Sequence, residues 1–168
     1  MAAAGITGPV AFMLALLFGD SWLGASICAG FSGAIAAGAV IDLQERRIPN
    51  RLTYSGLVVG LILAGISGVA SSVEAVGGIV LAGGAMGVMW VLGRGALGLG
   101  DVKLSAMAGA FLGAGSVPLY LLLGSLLGAT AGALLLLRGA KRGSTFAYGP
   151  YLGAGALLAM LIAGPLVH

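Results

Sequence analysis

The sequence predicts an all-α, polytopic membrane helix bundle of about six or seven transmembrane helices. Three observations carry this. Of the 168 residues, 60% are apolar and only 8% are charged, where a soluble globular chain carries about 25% charged residues. The apolar residues fall in long runs, and a bilayer core asks for about 20 consecutive apolar residues in a helix. The eight Lys and Arg residues are confined to alternate connections between those runs, the pattern that orients a chain across a membrane.

Seven runs can be drawn, at 3–19, 22–41, 53–69, 75–92, 102–116, 118–137 and 147–166. The first, Ala3 to Gly19, has no basic segment before it, so it reads as a retained span rather than a signal peptide. The second runs into Asp42. The third follows Pro49 and Asn50, where Asn50 suits a helix cap and proline suits a helix start. The fourth and fifth contain the pairs Gly83–Gly87 and Gly109–Gly113, small-residue faces on which membrane helices approach closely. The fifth is short. About fifteen residues cover about 22 Å, against a hydrocarbon core of about 30 Å. It is therefore expected to start beneath the surface, with Gly98–Asp101 as irregular backbone dipping inward, which protein or a wet cavity must cover. The seventh run has Pro150 in its first turn.

Arg46, Arg47 and Arg51 lie between runs two and three, Arg94 and Lys103 between four and five, and Arg138, Lys141 and Arg142 between six and seven. The other connections, around Asp20, Ser71–Glu74 and Ser116–Pro118, hold no basic residue. The basic side is the cytoplasmic one. Seven spans place the N-terminus inside and the C-terminus outside, and six serve equally if the first segment does not cross. The expected location is the cytoplasmic (inner) membrane, multi-pass, with residues 1–168 as a single transmembrane domain. The net charge of +3 forms no basic face with interleaved aromatics, so nucleic acid is not an expected partner. The cationic rim suits anionic membrane lipid instead.

The residues available for chemistry are few. One cysteine, Cys28, and one histidine, the terminal His168, allow no internal disulfide and no zinc ribbon, and they give a Cys–His or Ser–His mechanism little to stand on. No metal and no cofactor is expected. Of the five acidic residues, Asp20 and Glu74 read as solvated charges in outer connections, and Glu45 joins Arg46 and Arg47 in a solvated cluster. Lys103 reads as an interface anchor whose stem lies along apolar surface, with a role in tuning Asp101 as the alternative. Tyr148 and Tyr151 read as belt aromatics.

Asp42 and Asp101 differ from the other acids. Asp42 closes an apolar run and Asp101 opens one, both on the cytoplasmic side. A carboxylate at the end of a span tends to face the bundle interior or a wet cavity. Two carboxylates facing each other share a proton, so one acts as acid while the other activates a water. That pair hydrolyses a peptide bond by general acid–base catalysis. Gly98 and Gly100, just before Asp101, let another backbone come close. Read from the residues alone, other accounts stay open. Asp42 and Asp101 could be two separate interface charges, each satisfied by a helix end or a basic side chain. They could carry protons or cations in a small transporter, which paired inverted repeats would favour; the sequence shows no convincing repeat. The chain could also be a non-catalytic assembly subunit.

Three segments carry a resemblance. Asp42-Leu-Gln-Glu-Arg-Arg-Ile-Pro-Asn50-Arg-Leu-Thr53, Gly98-Leu-Gly-Asp-Val-Lys-Leu104 and Ala147-Tyr-Gly-Pro-Tyr-Leu-Gly-Ala-Gly155 resemble, in this order, the Asp-to-IPN-x-LT, GxGDxKL and FGP-type segments of the type IV prepilin peptidase (leader peptidase) family, a branch of the GXGD aspartyl proteases. The resemblance covers 42–155. It implies an aspartic endopeptidase with Asp42 and Asp101 as the catalytic pair, and Gly98, Gly100, Lys103, Pro49, Asn50, Tyr148, Gly149 and Pro150 as motif residues. The implied substrate is a prepilin or pseudopilin precursor, cut at the junction of its leader and its helix on the cytoplasmic face. Larger members of the family carry an N-terminal cytoplasmic insert with paired cysteines, and also N-methylate the new terminus. This chain looks more like the compact branch without the insert, so methylation is not expected of it.

Overall fold

The computed structural model describes residues 30–35, 38, 41, 50–67, 69–93, 98–139 and 148–163. Five full helices lie among them: α1 (Asn50–Ser67), α2 (Val69–Leu92), α3 (Leu99–Leu112), α4 (Val117–Leu137) and α5 (Gly149–Ala163), with a 3-10 turn (Ala114–Ser116) between α3 and α4. Residues 30–35, 38 and 41 are also helical, and no strand occurs among the described residues. The fold is the expected all-α membrane bundle.

Local sequence sets the helix ends. Gly113, at φ 72°, closes α3 and gives its N–H to the Gly109 carbonyl at 2.9 Å. A positive φ is strained for residues with a Cβ. Pro118 stands in the first turn of α4, where its missing N–H is no loss. Pro150 does the same for α5, and the Tyr148 carbonyl accepts from the N–H groups of Tyr151 and Leu152 at 3.1 and 3.2 Å.

α3 is the centre, with nine of its 14 residues buried. Glycine contacts reveal the direction of its neighbours. Along α2, Gly83 faces Ala106, Gly78 lies directly on the backbone of Gly109, and Gly77 faces Ala114. The α2 numbers fall as the α3 numbers rise, so the two helices are antiparallel. Along α1, Gly56 faces Met107 and Gly60 faces Ala110 and Phe111, so α1 and α3 run parallel. α4 and α5 are antiparallel, with Gly128 against Tyr148 and Gly124 against Leu152 and the Gly155 backbone. The earlier helical residues run antiparallel to α3. The Phe31 ring lies 4.8 Å from that of Phe111, and Gly38 sits against Leu52 and Leu104.

Outside this core the surface is apolar. Ser71–Leu92 and Ala114–Leu137 are long and apolar enough to cross a membrane, yet only 22% and 17% of their most apolar windows are buried. An apolar helix in a soluble core would be covered; these face outward, with Val80, Leu92, Leu122 and Leu137 exposed. The solvent they suit is lipid.

Two boundaries and one side-chain role differ from expectation. Ser71–Glu74 belongs to α2 rather than to a connection. Glu74 accepts the Gly115 N–H at 3.2 Å, so it ties α2 to the 3-10 turn. Leu99–Asp101 is the first turn of α3 and not irregular backbone; only Gly98, with φ −76° and ψ 143°, is extended there. Asn50 begins α1, but its carboxamide oxygen is engaged by Lys103.

Candidate active site

Asp101 is the third residue of α3 and is 6% exposed. Its Oδ2 accepts the Gly98 N–H at 3.2 Å. This is half of a capping box, since a glycine at 98 has no side chain to reciprocate. A Cβ at 98 would stand 3.3 Å from that same oxygen, so glycine leaves the carboxylate room. The negative end of the side chain thus rests on the positive end of the helix. That is why Asp101 opens α3 instead of interrupting it.

The surroundings are more polar than the composition suggests. Ser105 lies one turn beyond Asp101 on the same face. Its hydroxyl is 2.7 Å from that of Tyr120, and both side chains are fully buried. Tyr148 is half-buried, with its ring in the notch that Gly128 leaves on α4. Tyr148 thus packs against α4. Sequence reading passed over Ser105 and Tyr120. The available signal was a serine four residues after the acid, and a tyrosine in an apolar run, whose hydroxyl needs a partner if buried.

The pair has an asymmetric consequence. Ser105→Ala leaves the Tyr120 hydroxyl buried without its partner and is expected to cost about 1–3 kcal/mol. Tyr120→Phe costs less, because a helical serine can turn to a backbone carbonyl one turn back. Unfolding of both variants in detergent checks the order; equal losses would contradict it.

Lys103 is two residues past Asp101, hence about 200° around the helix, and faces α1. Its Nζ donates to Asn50 Oδ1 at 2.9 Å and stands 5.4 Å over the Tyr54 ring. Besides any anchoring role, the ammonium joins two helices. Asn50 also accepts the Thr53 hydroxyl on its backbone carbonyl at 3.1 Å. Gly100 lies in the first turn of α3; Gly149, buried, begins α5, followed by Pro150. Asp42 and Pro49 lie outside the described residues, as do Asp20, Cys28, Glu45 and His168. Among the described residues, no three of His, Cys, Asp and Glu come together.

Fold and site define an α-helical membrane protein with a carboxylate buried at the capped start of its central helix. The sequence profile of the type IV leader peptidase family matches residues 28–133, more than half of the chain, and the chain belongs to that family. It is thus a peptidase-family protein, and its substrate is a protein. The match takes in the segments around Asp42 and Asp101; the Ala147–Gly155 segment lies beyond it. Neither curated proteins nor solved structures gave a match.

Proposed function

We propose that this chain is an aspartic endopeptidase of the cytoplasmic membrane that removes the leader of prepilin or pseudopilin precursors, with Asp42 and Asp101 as its catalytic pair. The observation that carries the reading is Asp101: a carboxylate almost fully buried yet held at a helix start by a glycine N–H, in a segment of GxGD form inside the family match. In the reaction, one carboxylate takes a proton from a water, which attacks the scissile carbonyl carbon. The other carboxyl donates its proton toward the carbonyl oxygen, and the tetrahedral intermediate then expels the amine with a proton returned to its nitrogen. Gly98 and Gly100 give an extended substrate backbone access beside Asp101. Tyr148, Gly149 and Pro150 border the same end of the bundle.

Topology supports the same side for leader and site. The described basic residues Arg51, Lys103 and Arg138 lie at the end that holds Asp101, and Glu74 lies at the other. We read residues 1–168 as one peptidase domain of six or seven spans, with the basic end in the cytoplasm and its rim against anionic lipid.

The test is incubation of the purified protein with a prepilin, followed by mass spectrometry. The expected products are the free leader and a mature chain with a free α-amine. An intact precursor under conditions where the bundle is folded would refute the peptidase reading. A product heavier by one methyl group on its N-terminus would refute the free-amine part alone.

A further inference from the structure

We propose that Ser105 and Tyr120 are positioning residues: their buried hydroxyl pair fixes the rotation of the early turns of α3, and with it the direction in which Asp101 presents its carboxylate. The inference rests on the catalytic reading of Asp101 above and concerns that carboxylate alone. Ser105 lies four residues after Asp101, about 40° around the helix, so the two side chains leave α3 on one face. The Tyr120 hydroxyl, carried by α4, meets Ser105 there at 2.7 Å, and both side chains are fully buried.

The packing on α3 is uneven along its length. Its close glycine contacts fall at Ala106 and beyond, with Gly83 on Ala106, Gly56 on Met107 and Gly78 on Gly109. Nearer Asp101 the fit loosens. A Cβ at Gly87 would stand 3.9 Å from Val102, and one at Gly38 would stand 3.8 Å from Leu104, both ordinary contacts. Directional bonds hold the segment that carries Asp101. Lys103 bonds Asn50 of α1 on one side, and Ser105 bonds Tyr120 of α4 about 200° away. Apolar contact is non-directional, so it resists separation better than turning. A hydrogen bond weakens steeply once its angle is lost. Of the two bonds, Ser105–Tyr120 is the buried one, and it lies on the Asp101 face. A helix is about 10–12 Å across with its side chains, so a turn of about 10° moves a side-chain tip by about 1 Å. For a catalytic group, a misplacement of about 1 Å costs about 100-fold in rate.

The test compares Tyr120→Phe, Ser105→Ala and their double variant with the parent, all as full chains in detergent with one prepilin substrate. Each single change is expected to lower kcat about 10- to 100-fold, with KM within about twofold, because substrate binding itself is untouched. The double variant should be no slower than the worse single, as members of one contact are not additive. Amide hydrogen exchange should quicken several-fold over residues 99–105 and stay near the parent over 106–112. Met160→Ala, a buried cut near the far end of α5, controls for stability. It should lower the unfolding midpoint and leave kcat within about twofold. A Tyr120→Phe variant with parental kcat would overturn the proposal. So would losses that multiply in the double variant, a raised KM with unchanged kcat, or a Met160→Ala variant as slow as Tyr120→Phe. A lowered kcat with unchanged exchange over 99–105 would also overturn it, since the hydroxyls would then act otherwise than through α3. If Ser105→Ala fails to fold, Tyr120→Phe decides alone. An Asp101→Asn control separates the two levels. If that variant cleaves normally, the aspartyl reading is lost. If it is inactive while Tyr120→Phe matches the parent, only the role of the hydroxyl pair is lost.

Discussion

Asp101→Asn is expected to lower leader cleavage by about 10⁴-fold, the upper end of what general acid–base groups contribute, while leaving a folded bundle. The carboxamide has the shape of the carboxylate and keeps an oxygen that can accept the Gly98 N–H, so the start of α3 survives. What it loses is the ability to take and return a proton. Asp42→Asn should behave alike, since neither carboxyl can serve as both acid and base. Asp42→Glu should also be poor, because one added methylene changes the spacing of the pair. Initial rates read by mass shift, beside size-exclusion profiles and helical circular dichroism, give the answer. An Asn variant that cleaves near the parent rate removes its aspartate from the mechanism.

Gly78→Ala is expected to destabilise the bundle by about 3 kcal/mol, the upper range for overpacking a close interface. A Cβ at 78 would strike the Gly109 carbonyl, and would also stand 3.0 Å from the Gly113 carbonyl carbon. Backbone cannot swing aside as a side chain can, so α2 and α3 would have to part along their length. Gly84→Ala is the matched control, in the same helix and with nothing within 4 Å of the new methyl. It should be neutral or gain up to about 1 kcal/mol from helix propensity. Denaturation in mixed detergent separates the two. Equal stabilities would mean that the closeness of α2 and α3 does not hold the bundle together.

Much of the helix content was legible because lipid demands long apolar runs. The runs 118–137 and 147–166 lie close to α4 and α5. Their pairing was not legible. When every face is apolar, hydropathy does not say which face meets protein, and 32 glycines do not announce which are notches. Gly83 and Gly109 were picked out by spacing, whereas Gly78, with its closer contact, was not. The run drawn from residue 102 starts too late because Gly98–Asp101 reads in sequence as irregular backbone, whereas Leu99–Asp101 is helical. A carboxylate in the first turn is instead a helix-start signal, and the Gly98 bond shows it acting as one. Asp101 itself was legible from its motif and from the rarity of acids here. The Lys103–Asn50 contact was not, since only tertiary packing brings residues 53 positions apart together. Asp42 lies outside the described residues, so its half of the proposed pair rests on sequence.

The seam of α2 against α3 also bears on how the chain enters the bilayer during synthesis. A helix of 14 residues with Asp101 and Lys103 in its first five is a weak signal for the insertion machinery, which penalises each such charge. α2 has 24 residues, carries Glu74 near one end as its sole charge, and emerges first. Once α2 is in place, its glycine face offers α3 an antiparallel partner, and the two can enter as a hairpin. The central helix then depends for its place in the membrane on its predecessor, not on its own affinity for lipid.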